Sequence, residues 1–90
     1  MNTDKISAYI GREVTSYYAL LADSDNTERT NVRLLAKIEA LLGLLDDFHI
    51  GCEIIGNSPF YEGITINKKS YTYTIKDHAL WSFCINEKIC

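Results

Sequence analysis

His49 and Cys52, in an H-x-x-C spacing, come closest to a metal-ligand pair in this sequence. Zinc takes four such ligands, and Cys84 with Cys90 could complete the set only if the last strand and tail folded back. The simpler expectation is a histidine at a helix end beside a buried cysteine, a place where the helix dipole favours a protonated imidazole. His78 and Cys84, six residues apart, offer a base and a nucleophile that no sequence context orients toward each other. Asp46 and Asp47 are adjacent carboxylates, but neighbours on a helix diverge by about a hundred degrees, so a shared proton is not expected. No phosphate-cradling glycine motif occurs, and the five glycines are dispersed in a way that suggests turns. The chemistry-bearing residues therefore predict a non-enzyme without metal or cofactor.

Residues suited to binding are better represented. Arg29, Arg33 and Lys37 form an i, i+4, i+8 row that could present three cations to a phosphate or an acidic partner, or be solvated and paired locally. Six tyrosines stand against three phenylalanines, and tyrosine joins rigid contact area to a polar tip, the combination enriched in interfaces. Tyr17 and Tyr18, with Tyr71 and Tyr73, are too many rings for one small core. Tyr18 lies off the main apolar stripe of its segment and is expected at a boundary or contact surface. The candidate binding residues are thus Tyr18, Arg29, Arg33, Lys37, Tyr71 and Tyr73.

The elements that must carry them follow from hydrophobic period. Ile6, Ile10, Val14, Tyr17 and Leu21 recur at three and four, predicting a helix over 4–22 with Thr3 as N-cap and Asp4 in its first turn. Asp23, Ser24, Asp25 and Asn26 compete with helical hydrogen bonding and turn the chain. Asp25 and Glu28 then have the form of a capping box, opening a second helix whose stripe runs through Leu34, Leu35, Ile38, Leu41, Leu42, Leu45 and Phe48. Gly51 is the expected C-cap. Leu44, Ala36 and Ala40 widen that stripe, and apolar surface left over would favour a homodimer through the helices.

Beyond Gly51 the period changes to two, and β-branched and aromatic residues take over. A strand over 52–55, a breaker loop over 56–59, and a hairpin of 63–66 with 71–75 around Asn67, Lys68 and Lys69 are expected. Tyr71, Tyr73 and Ile75 should share one face. After a break at Lys76, Asp77 and His78, a last strand over 79–85 should send Trp81, Phe83 and Ile85 toward the helices. The fold class is α+β, a two-helix antiparallel hairpin over about 4–50 packed on an antiparallel sheet of three to four strands over about 52–90, in one domain.

Composition is that of a folded chain, with 47% hydrophobic and 23% charged residues. The net charge of −3 disfavours nucleic acid, and up to Ile50 five basic residues face eight acids, so a basic protein partner is the better fit. No segment reads as a membrane span or signal peptide, and three cysteines without close spacing suit a reducing compartment, so a cytoplasmic protein is expected. Two functions remain open: a protein-binding module of inhibitor or accessory type, and a ligand-sequestering homo-oligomer using the arginines and aromatic rings. In size and economy the chain looks like the accessory and anti-defence proteins of phages and other mobile elements, a likeness of style that carries no residue over.

Overall fold

A computed structural model describes residues 3–58, 60–77, 79 and 81–89. Two helices, α1 (Thr3–Leu21) and α2 (Glu28–Asp47), precede four strands, β1 (Cys52–Asn57), β2 (Phe60–Ile66), β3 (Lys69–Asp77) and β4 (Ser82–Ile89). Each strand pairs antiparallel with the next, giving a sheet of order β1-β2-β3-β4. This is the expected α+β arrangement, a helical hairpin followed by a sheet.

The helix ends differ from expectation in instructive ways. Thr3 is already helical instead of capping. At the hairpin, Asp25 N–H donates to Asp23 Oδ1 (3.0 Å), and the Asn26 side chain donates to Leu20 O (2.6 Å) and Asn31 Oδ1 (3.1 Å), tying the end of α1 to the start of α2. Those bonds occupy the polar cluster, and the cap falls to Thr27, whose hydroxyl accepts from Thr30 N–H. At the far end, His49 takes the left-handed conformation (φ 57°) expected of Gly51. His49 N–H donates to Asp46 O (3.0 Å) and Ile50 N–H to Leu45 O (2.9 Å), a Schellman motif. Ile50 then packs on the same cluster as Leu45, so apolar anchoring outweighed glycine's conformational freedom in setting where the helix stops.

α1 is the central layer. It packs on β2, β3 and β4 with one side and on α2 with the other, whereas α2 packs on α1 and barely reaches the sheet. The sheet side of α1 is built from small residues one turn apart, Ser7, Gly11 and Thr15, all buried. A Cβ on Gly11 would stand 2.5 Å from Cδ2 of Tyr71, so only glycine lets the helix settle on that ring. Thr15 Oγ1 donates to Gly11 O (2.7 Å) and approaches Tyr71 O (3.3 Å). Gly11 and Gly43 thus lie inside helices, not at turns.

In the sheet, Asn67 and Lys68 both have positive φ (50° and 67°), a two-residue turn that matches strand twist and draws Lys69 into β3. β1 takes in Gly56 and Asn57 of the expected breaker loop, Ser58 remains a turn, Pro59 lies outside the described residues, and β2 begins at Phe60, ahead of the expected 63. β3 runs on through Lys76 and Asp77, bulging between Ile75 and Asp77, and His78 lies outside the described residues. Trp81 precedes β4 with φ 47° and is not part of it, while Phe83 and Ile85 pair with Ile75 and Tyr73 and share their face. β4 continues to Ile89, so the segment expected to be a tail is paired strand. One hydrophobic cluster, including Ile10, Val14, Tyr18, Ile38, Leu45, Ile64, Ile66 and Tyr71, joins both helices to the sheet.

Candidate functional site

A register shift between β1 and β2 shapes one corner of the surface. Ile55 pairs with Gly63, but the next residue, Gly56, pairs with Tyr61, leaving Glu62 as an extra residue. Such a bulge reverses the alternation of faces. Tyr61 is thereby turned onto the helix side of the sheet, where its ring lies 5.0 Å from that of Tyr18, tilted by 33°. Gly56 makes this possible: its φ of 99° suits glycine, and a Cβ there would meet Glu62 N at 2.9 Å. With Tyr73, Leu21 and Ala22, these rings form a corner between the C-terminal end of α1 and the start of β2. Phe60 stands at its rim, 72% exposed.

Of the candidate residues, the corner takes two. Tyr18 is 4% exposed and belongs to the core, not to a contact surface, because the bulge brings Tyr61 over it. Tyr73 is half-buried beside it. Burial raises the phenol pKa of both above its ordinary value, so they remain neutral hydrogen-bonding groups. Tyr71 is buried under Gly11 and does not reach the surface. Arg29, Arg33 and Lys37 are exposed on α2 as a row, with Lys37 Nζ 5.6 Å from the centre of the Tyr17 ring. Among the described residues, the arginines meet neither an acid nor a ring.

Phe60, Tyr61 and the exposed Tyr9 were not among the residues singled out from sequence. A signal for the first two exists: adjacent aromatics bracketed by Pro59 and Gly63. A bulge, however, is a property of paired strands and leaves no periodic trace in one of them. Tyr9, 59% exposed, lies with Glu13 and Tyr17 along the trough where α1 meets Lys37, Ala40 and Leu41 of α2.

Among the described residues, those capable of chemistry do not converge. Among those described, no three His, Cys, Asp or Glu side chains gather to hold a metal. His49 and Cys52 are both exposed, and Cys52 and Cys84 are free thiols; Cys90 lies outside the described residues. Partial burial and then Asp46 push the Cys52 thiol pKa up, away from the thiolate a nucleophile needs. One carboxylate, Glu87, is strongly perturbed. Glu87 is held down to about 2 by its bond to Arg12 and then by Lys69, whose Nζ lies 3.0 Å from Oε2. That triad joins α1, β3 and β4, and it neutralises charge instead of concentrating a reactive group.

No helix among the described residues is long and apolar enough to cross a membrane. Comparison with known proteins finds no family model, curated relative or solved structure that matches this chain.

Proposed function

We propose that the chain is a non-catalytic protein-binding module, an inhibitor or accessory factor that acts by occupying the surface of a partner. The observation carrying this reading is the aromatic corner: Phe60 stands almost free over Tyr18, Tyr61 and Tyr73. A large ring held in water by a fixed scaffold loses little entropy on docking, and rings of this kind dominate interface energetics. The corner's depression amounts to about 10 Å³, far below the roughly 300 Å³ at which small-ligand pockets begin. A shallow corner with one exposed ring is therefore a better fit to a protein than to a metabolite. The net charge of −3 favours a basic partner, and the free thiols of Cys52 and Cys84 fit a reducing, cytoplasmic setting.

The test is affinity capture from a host extract with the wild-type chain and with Phe60→Asp. A protein recovered by the first should bind the second roughly 30-fold more weakly in a direct titration, the equivalent of a hot-spot residue. Equal binding would remove the corner from the interface. Release of a nucleotide or metabolite from the heat-denatured protein, with no protein captured, would replace this reading by ligand sequestration.

A further inference from the structure

Among the described residues, nothing covers the outer face of α2. It carries Arg29, Arg33, Ala36, Ala40, Gly43 and Asp47, spaced alternately by four and three and all exposed, with Ala40 where this face borders the trough shared with α1. That spacing keeps six residues on one line of a helix and is the spacing of a helix-to-helix seam. Val32 and Leu44 flank the line on its two sides and are 60% and 44% exposed, large apolar side chains left in water. Gly43 is unexplained by the fold: a Cβ there would meet nothing within 4 Å, yet glycine inside a helix costs about 1 kcal/mol relative to alanine.

The charges say what covers this face. Its N-terminal end carries Arg29 and Arg33, its C-terminal end carries Asp47, and among the described residues none of the three has an ion pair within the chain. A partner helix running antiparallel must therefore offer acid opposite the arginines and base opposite the aspartate, with a small or apolar middle. A second copy of α2, turned end for end, meets that description. A parallel copy would set arginines against arginines.

We propose that the chain forms a two-fold symmetric dimer through antiparallel packing of α2 on α2, with Ala36, Ala40 and Gly43 at the crossing. Arg29 and Arg33 of each chain then face Asp47 of the partner subunit. Because the interface is isologous, each such contact occurs twice. The small residues bring the backbones close, Val32 and Leu44 lose their exposure at the margins, and the two aromatic corners stay free. The dimer is independent of the corner's role, and either proposal can fail without the other.

The experiment measures molar mass by light scattering and sedimentation over a concentration series, with far-ultraviolet circular dichroism confirming the fold of each variant. The wild-type chain should be a dimer. Ala40→Arg, at an exposed position, should give a folded monomer. Reversing both cations, Arg29→Glu with Arg33→Glu, should raise the dissociation constant at least tenfold by setting acids against the partner's Asp47. Adding Asp47→Arg to that variant should restore dimerisation, a rescue only the antiparallel register predicts. A wild-type monomer at every concentration, a dimer indifferent to Ala40→Arg, or failure of the third substitution to rescue would each overturn the proposal.

Discussion

α1 and α2 are near equals in length and both are amphipathic, yet α1 buries Ser7, Ile10, Gly11, Val14, Thr15, Tyr18 and Ala19, while α2 buries only Leu34, Ile38 and Leu45. The difference lies in what flanks each. α1 has the sheet on one side and α2 on the other, so its small residues are as deeply enclosed as its large ones. Among the described residues, α2 has a close neighbour on one side alone. Period and apolar content describe how wide a stripe a helix can bury; they are silent on how many layers will arrive to bury it. Where the supply of apolar surface exceeds the cover, as along Val32, Leu35, Leu44 and Phe48, the excess marks surface available for association.

The sharpest way to break this contrast is at the α1-to-sheet contact. Tyr71→Ala should cost about 4 kcal/mol of unfolding free energy, because the ring is buried between α1 and the sheet. Gly11→Ala alone should cost about 2 kcal/mol through overlap with that ring. Placed in the Tyr71→Ala background, the same change should turn stabilising by up to about 1 kcal/mol, since the clash is gone and alanine favours the helix. Denaturant titrations of the four proteins test this; additivity would mean that the ring does not dictate the glycine.

The next contrast lies within α2. Leu45 is completely buried and its neighbour Leu44 is 44% exposed. Leu45→Ala should cost about 3 kcal/mol, and Leu44→Ala less than about 0.5 kcal/mol when measured at concentrations low enough to keep the chain monomeric. Similar losses at both positions would show that the outer side of α2 is covered within the single chain.

The smallest effect belongs to the Arg12–Glu87–Lys69 triad that ties α1 to the sheet edge. Glu87 has its folded-state pKa lowered from 4.5 to about 2, so the stability it contributes is complete above the unfolded value and disappears as pH falls through the folded one. The gap in melting temperature between wild type and Glu87→Gln should be constant above about pH 5 and close between 4.5 and 2. A gap unchanged at pH 2 would place the effect of the substitution in packing instead of charge.

Much of this architecture was legible in one sequence. The change of period at Gly51 separated helices from strands, the turn expected through Asn67, Lys68 and Lys69 located the central hairpin although Lys69 belongs to β3, and the shared face of Tyr71, Tyr73 and Ile75 followed from alternation. These are local properties, set by steric preferences that act over a turn of helix or a pleat of strand. What eluded local reading depended on a second segment. Thr27 became the cap because Asn26 was drawn to Leu20 and Asn31, and His49 ended α2 because Ile50 had a core to enter. Tyr18 was buried because a bulge, defined only by the pairing of β1 with β2, swung Tyr61 over it. The sequence by itself determined which residues coil and which pleat; tertiary structure alone decided which apolar faces are shut and which stay open. That division has a physical cause, since backbone preference is settled among neighbours, whereas burial is settled by whatever distant surface comes to lie against them.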